Sequence, residues 1–275
     1  MKKYLNTLFI TTQGAYLSKE GETVVIRAER KKLAQIPLHT LGGIVCFGNV
    51  LCSPFLLGFC AERDVSISFL TEYGRYLAKV QGPVSGNVLL RREHYRRADQ
   101  IAEIARIARS VVLGKIINCR AVLQRALRDH GDKIARNTVD TSIEQLGQCL
   151  RQLRDETLSA ESIRGIEGRA ATVYFSAFDN LITLQKADFF YHKRSRRPAL
   201  DNLNCMLNFV YTLLLHDVRS ALEAVGLDPA VGFFHRDRPG RPGLALDLME
   251  EFRPFVADRL VLSLINRNQA KPEGF

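Results

Sequence analysis

Between Gly82 and Gly86 the sequence changes from a pattern typical of β-strands to one typical of α-helices. This run, Gly-Pro-Val-Ser-Gly, favours a turn or linker because glycine and proline both interrupt regular elements. Apolar residues come in short runs before it and recur with a helical period after it. We therefore expect an α+β protein, with a small N-terminal β-strand domain over residues 1–85 and a larger all-helical domain over residues 86–275.

Individual elements follow from the same patterns. A hairpin turn is predicted at residues 19–22, and a helix begins after Ser53, an N-cap residue followed by proline, and runs to about Arg63. Apolar residues between Ile101 and Ile117 predict a long helix with its arginines on the other side. The predicted strands are 5–10, 16–17, 23–26, 44–47, 65–70 and 76–80, and the further predicted helices are 142–157, 160–186, 201–226 and 254–267.

Composition narrows the class of protein. The formal net charge is +10, which favours a polyanionic partner such as DNA, RNA or an acidic membrane surface. No apolar run approaches the roughly 20 residues needed to span a bilayer, and the first residues do not resemble a signal peptide. The six cysteines form no Cys-x-x-Cys pair, which favours buried, reduced thiols over disulfides or structural zinc. We therefore expect a cytoplasmic protein without a membrane segment.

Glu167 and His235 are the first candidates for chemistry. Glu167 lies on the apolar face of predicted helix 160–186, where an unpartnered carboxylate is costly. An ion pair with Arg164 or Arg169 is the alternative explanation. His235 precedes a Pro/Gly-rich turn and could bind a metal or move a proton, although most single histidines do neither.

Asp247 and Glu250 are three residues apart, so they share a face on a helical turn. Neighbouring carboxylates repel each other unless a positive charge lies between them, and oxygen ligands suit Mg²⁺ or Mn²⁺. The alternative is a solvated acidic turn with Arg253 as its counter-ion. We expect Pro254 to end this turn and to begin the next helix.

A basic cluster at residues 192–198 follows three aromatic residues. Guanidinium groups beside aromatic rings suit contacts with phosphates and bases, although such a cluster can also be a solvated loop. The candidate DNA-binding residues in this cluster and after His235 are Arg194, Arg196, Arg197, Arg236 and Arg238.

Five segments occur together in a specific order and spacing. They are 164–168 (Arg-Gly-Ile-Glu-Gly), 197–211, 226–229, 232–235 (Gly-Phe-Phe-His) and 246–254. Together they resemble the CRISPR-associated adaptation integrase family, and in detail its type I-C branch. The resemblance covers essentially the whole chain. Family members usually continue beyond the position of Phe275, so the resemblance implies that a C-terminal segment is lacking here.

The resemblance implies a metal-dependent DNA endonuclease and integrase that inserts new spacers into CRISPR arrays by transesterification. It implies Glu167, His235 and Glu250 as ligands of Mg²⁺ or Mn²⁺, with Asp247 as a further acidic residue near the metal. The implied partners are prespacer and CRISPR-repeat DNA, a second copy of the chain joined through the β domain, and a small adaptation protein that bridges two dimers.

Two other functions stay open at this point. One is a non-catalytic nucleic-acid-binding structural protein whose acidic residues are merely paired. The other is a hydrolase of small phosphate compounds, which would need a Gly-rich phosphate-binding loop that the sequence does not contain in a suitable context.

Overall fold

The computed structural model describes residues 6–80, 82 and 87–275 of the chain. The chain divides into two compact units, Met1–Gly86 and Asn87–Phe275. Strands occupy the first unit and helices the second, which confirms the predicted α+β class. Residues 83–86 of the predicted linker, and Leu5 of the first predicted strand, lie outside the described residues.

The first unit contains eight described strands in two four-stranded sheets. The strands are β1 (Asn6–Ile10), β2 (Tyr16–Glu20), β3 (Thr23–Ala28), β4 (Lys31–Pro37), β5 (Leu41–Phe47), β6 (Leu51–Cys52), β7 (Ser66–Leu70) and β8 (Tyr76–Val80). One sheet has the order β1-β5-β7-β8, with β8 antiparallel to its neighbour β7 and the other pairs parallel. The other has the order β4-β3-β2-β6, in which β2, β3 and β4 form an antiparallel meander.

The core of this unit is built from apolar residues of both sheets and helix α1 (Pro54–Ala61). Leu17, Val24 and Ile44 are fully buried there. The Ser53 side chain accepts a hydrogen bond from the backbone N–H of Leu56, so the predicted N-cap is confirmed. The helix then ends at Ala61, slightly before the predicted boundary.

The second unit is helical in its described part, residues 87–275. Its α-helices are α2 (Val88–Ala98), α3 (Ile101–His130), α4 (Arg136–Gln152), α5 (Ala160–Ser176), α6 (Asn202–Ala224), α7 (Gly243–Phe252) and α8 (Arg259–Asn266). The long helix α3 packs against α4, α5 and α7, so it forms the centre of the unit. Its buried residues Val112 and Ile116 join Leu146 and Ile163 in one continuous core.

The segment around Pro254 differs from the prediction. Instead of a break, a π-helical turn (Arg253–Asp258) joins α7 directly to α8. Proline lacks an N–H group, and in an α-helix its ring would clash with the carbonyl of Glu250, four residues earlier. A wider π-type turn accommodates the ring without ending the helix, and such turns are frequent at functional sites.

All six cysteines are free. Cys46, Cys60, Cys119 and Cys149 are buried and Cys52 is half-buried, but Cys205 is exposed near the start of α6. The expectation of buried thiols therefore does not hold for this residue. Among the described residues, the helices are too short or too polar to cross a membrane.

Candidate active site

The three predicted metal ligands line one pocket of the second unit, with a volume of about 290 Å³, and the predicted DNA-binding residues Arg194 and Arg196 line it too. Glu167 comes from α5, Glu250 from α7 and His235 from the loop between α6 and α7. These residues are up to 83 positions apart in the sequence, so only the packing of α3 against α5 and α7 brings them together. The pocket therefore brings the carboxylates of Glu167 and Glu250 and the imidazole of His235 together.

Lys115 of α3 lies between the two carboxylates. Its Nζ donates a hydrogen bond to Glu167 Oε1 and lies 2.7 Å from Glu250 Oε2. Burial acts to lower the pKa of Lys115, which is only 9% exposed, but the charges of Glu250 and Glu167 outweigh burial and raise it. A charged ammonium group thus bridges the two carboxylates, although Lys115 belongs to none of the motifs noted in the sequence.

Glu250 is buried and ionised. Its side chain is only 2% exposed, and burial acts to raise its pKa, but Arg253 and Lys115 outweigh burial and hold the pKa below its usual value. Arg253 Nη1 lies 2.5 Å from Glu250 Oε1, and His235 Nε2 lies 3.8 Å from the same oxygen. The alternative to a metal site was a solvated acidic turn with Arg253 as its counter-ion. Arg253 is indeed a counter-ion of Glu250, but the pair lies inside the protein.

Asp247 lies behind His235 and is 1% exposed. Its Oδ2 accepts hydrogen bonds from the backbone N–H groups of Phe233 (2.6 Å) and Phe234 (2.9 Å). Its Oδ1 accepts from the His235 backbone N–H (2.8 Å) and from His235 Nδ1 (2.7 Å). Asp247 therefore positions the His235 ring, which differs from the expectation that Asp247 and Glu250 share a cation. In a neutral imidazole whose Nδ1 donates to this carboxylate, Nε2 is the nitrogen that carries the lone pair.

The loop that carries His235 is held from two sides. His94 Nε2 of α2 lies 2.9 Å from the carbonyl oxygen of Val231, and Arg164 Nε donates to the carbonyl oxygen of Phe234 at 3.1 Å. At Gly232, a Cβ atom would lie 2.7 Å from the backbone carbon of Gly243, so only glycine fits this close approach. The position of the imidazole is thus fixed by packing as well as by Asp247.

A third buried carboxylate, Asp258, also lines the pocket. It accepts hydrogen bonds from the hydroxyl groups of Tyr211 (2.6 Å) and Tyr174 (3.0 Å). Burial raises the pKa of Asp258 to about 6. The guanidinium group of Arg253 lies 5.3 Å from the centre of the Tyr211 ring. Tyr211 therefore contacts Asp258 through its hydroxyl group and Arg253 through its ring.

The predicted DNA-binding arginines divide into three groups. Arg194 is not a solvated residue, because its guanidinium group donates to the side-chain oxygens of Asn204 (2.6 Å) and Asn208 (2.7 Å) of α6. Arg196 is exposed and lines the pocket. The remaining three are exposed and are not part of the described pocket lining: Arg197, Arg236, which pairs with Glu161, and Arg238.

The donor atoms of the pocket suit a divalent cation. Two carboxylates supply the oxygen ligands that suit Mg²⁺ or Mn²⁺, and a neutral imidazole is a common metal ligand in proteins. Glu250 Oε2 makes no hydrogen bond of good geometry, although Lys115 Nζ lies close to it. In the described part of the chain, no three acidic, histidine or cysteine side chains are already arranged around one metal position. The residue types therefore fit a metal, provided that the Lys115 ammonium group gives up its contacts.

Comparisons with known proteins agree on one family. The family model described as CRISPR associated protein Cas1 matches residues 8–275. A CRISPR-associated endonuclease Cas1 from Chlorobaculum tepidum is 58% identical over 275 residues, which cover 100% of this chain and 80% of that protein. A Cas1 structure from Thermotoga maritima has a TM-score of 0.81 at 25% identity, covering 98% of this chain and 82% of that chain.

A casposase bound to its integration product has a related fold. Its TM-score is 0.78 at 24% identity, and the match covers 98% of this chain and 75% of that chain. At this identity the likeness shows the fold alone.

Proposed function

The chain belongs to the Cas1 family, and from this premise we propose that it is a divalent-metal-dependent DNA endonuclease and integrase that inserts new spacers into CRISPR arrays. The observation that carries the proposal is the meeting of Glu167, His235 and Glu250 in one pocket. A solvated acidic turn or an isolated loop histidine would not bring these three side chains together.

Glu167, His235 Nε2 and Glu250 would hold the metal, Mg²⁺ or Mn²⁺. Bound there, such an ion stabilises the negative charge that develops on phosphate oxygens during cleavage or joining. Asp247 keeps the His235 ring oriented through Nδ1, so that Nε2 can act as a ligand or move a proton. Arg253 keeps Glu250 ionised.

The reaction on DNA is a transesterification. The oxygen of a DNA 3′ hydroxyl gives up its proton and bonds to phosphorus in the CRISPR repeat, the bond from phosphorus to the leaving oxygen breaks, and the leaving oxygen takes up a proton in turn. Water as the attacking group gives endonuclease cleavage instead. Arg196 and Arg241, on the lining of the pocket, attract the phosphate backbone.

The same proposal includes the partners. Prespacer and repeat DNA are polyanions, and a chain with a formal net charge of +10 attracts such partners. A second copy of the chain, joined through the first unit, and a small adaptation protein would complete the complex. A cytoplasmic location and the type I-C branch stay predictions from the sequence.

The test is cleavage and strand joining on branched DNA with Mn²⁺, Mg²⁺ or EDTA. Glu167→Ala should abolish both reactions and leave DNA affinity largely unchanged, because affinity depends on phosphate contacts with cations elsewhere. The matched control is Glu161→Ala, which removes an exposed carboxylate from the same helix. Full activity of Glu167→Ala would contradict the proposed site.

One observation favours the second candidate, a non-catalytic nucleic-acid-binding protein. Glu167 and Glu250 are already paired with Lys115 and Arg253, as that function would require. The same assay separates the two: DNA binding without divalent-dependent cleavage in any arm would favour the non-catalytic protein.

A further inference from the structure

Lys115 is unusual among the residues that surround the pocket. It lies in a buried stripe of α3 with Ala108, Val112 and Cys119, at positions that would otherwise be apolar. Burying an ammonium group is costly unless opposite charges compensate for it. Its contacts to Glu167 and Glu250 provide that compensation. The fold therefore keeps a positive charge at the point where the two carboxylates meet.

The same oxygens are the ones that a metal would need. Lys115 Nζ contacts an oxygen of each carboxylate, and Arg253 contacts the other oxygen of Glu250. A divalent cation between Glu167 and Glu250 must either displace the Lys115 ammonium or bind within a few ångströms of it. Both possibilities oppose binding, the first through lost ion pairs and the second through repulsion between like charges.

We propose that Lys115 is an internal counter-ion that competes with the divalent cation for Glu167 and Glu250 and so limits the metal affinity of the site. This inference rests on the proposed function only in taking the two glutamates as metal ligands. In the absence of a metal, Lys115 offsets the repulsion between the two carboxylates.

A purely structural role of Lys115 predicts the opposite change in metal affinity when Lys115 is replaced. If Lys115 served only to hold the two carboxylates in a ligating arrangement, its removal would let them move apart and would weaken metal binding. The direction of the change in metal affinity therefore separates the two roles. Activity alone would not, because Lys115 could also contact DNA.

The experiment is calorimetric titration of the full chain with Mn²⁺ in the absence of DNA. Lys115→Met removes the charge and keeps much of the side-chain volume, and Lys115→Gln removes the charge but keeps a hydrogen-bond donor. Both should bind Mn²⁺ about tenfold more tightly than the unsubstituted protein, the direction expected when a like charge is removed from a site of low dielectric constant. Lys115→Arg keeps the charge and should show no such gain.

Thermal unfolding gives a second readout. Lys115→Met should unfold at a lower temperature without metal, because Glu167 and Glu250 then repel each other, and Mn²⁺ should raise its melting temperature more than that of the unsubstituted protein. Lys186→Met is the matched control, because Lys186 is an exposed lysine 4.0 Å from Asp179. Lys186→Met should change neither the affinity for Mn²⁺ nor the melting temperature.

Unchanged or weaker Mn²⁺ binding in both neutral variants would overturn the proposal. Glu167→Gln tests the premise separately, since it should weaken Mn²⁺ binding whatever Lys115 does. If Glu167→Gln binds Mn²⁺ as tightly as the unsubstituted protein, the metal site of the proposed function fails. If it binds weakly while the Lys115 variants show no gain, only the role of Lys115 fails.

Discussion

At the scale of single residues, Asp247 and Asp258 are both buried carboxylates of the second unit, but their surroundings differ. Asp247 accepts three backbone N–H bonds and one from the His235 ring. Asp258 accepts hydrogen bonds from two tyrosine hydroxyl groups, and burial raises its pKa to about 6. One residue therefore fixes a loop, while the other titrates in an accessible pH range.

Asp247→Asn should destabilise the protein and impair the site together. The amide NH₂ group cannot accept the N–H bonds that an aspartate oxygen accepts, so a buried donor is left facing another donor. We expect a loss of about 2–4 kcal/mol in the free energy of unfolding, measured by denaturant titration. Asp237→Asn, at an exposed position of the same loop, is the control. Equal stability of the two variants would argue against the role of Asp247 in holding the loop.

Asp258 makes stability depend on pH. Its pKa is about 6 in the folded protein against an ordinary value of 3.8. Between these values the folded state binds more protons than the unfolded state, so this group's contribution to stability falls as the pH rises from about 4 to about 6. Comparing melting temperatures of the unsubstituted protein and Asp258→Asn should show the unsubstituted protein gaining relative stability as the pH is lowered through this window. A difference in melting temperature that stays the same across this pH range would contradict the raised pKa of Asp258.

Sequence reasoning found some site residues and missed others for a physical reason. Glu167, His235 and Glu250 lie in recognisable motifs, so the resemblance identified them. Lys115 belongs to no motif, and its role appears only when α3 packs against α5 and α7. A lysine within the apolar spacing of α3 was the available signal, because a charged residue in such a stripe needs a buried partner.

At the scale of elements, the segment before α6 is fastened to that helix by Arg194. Arg194→Ala should reduce the free energy of unfolding by about 1–3 kcal/mol, because it removes the charge-assisted hydrogen bonds to buried Asn204 and half-buried Asn208. Arg197→Ala, three residues further on and exposed, should change stability little. Thermal unfolding of the two variants checks this. Equal melting temperatures would restore the interpretation of the cluster as a solvated loop.

The elements that sequence patterns missed are those whose environment is unusual. Strand β4 begins with two exposed lysines and lies at the edge of its sheet, so it shows little apolar alternation. Strand β6 has only two residues. Helix α7 was expected only as a turn, because Pro254 was taken as a break, and a π-helical turn accommodates this proline. Long amphipathic helices such as α3 were predictable because their periodicity directly reflects burial.

At the scale of the whole molecule, the first unit exposes apolar side chains that suit the proposed self-association. Phe55 of α1 is 84% exposed, and Leu51 of β6, four residues earlier in the chain, is 62% exposed. If the first unit joins two copies, Phe55→Asp should shift the protein from dimer towards monomer in light scattering, because a charge in an apolar interface is costly. Ile101→Asp, at an exposed position of the second unit, should leave the mass unchanged. A monomer without any substitution would contradict the proposed dimer.

The distribution of the thiols has a practical consequence. Cys205 is the exposed cysteine, Cys52 is half-buried and the other four are buried. A maleimide dye should therefore attach first to Cys205, on the helix whose Asn204 and Asn208 hold Arg194. A fluorophore there would report on the environment of the pocket-lining segment without any engineered cysteine, so DNA engagement could be followed optically in a nearly native chain.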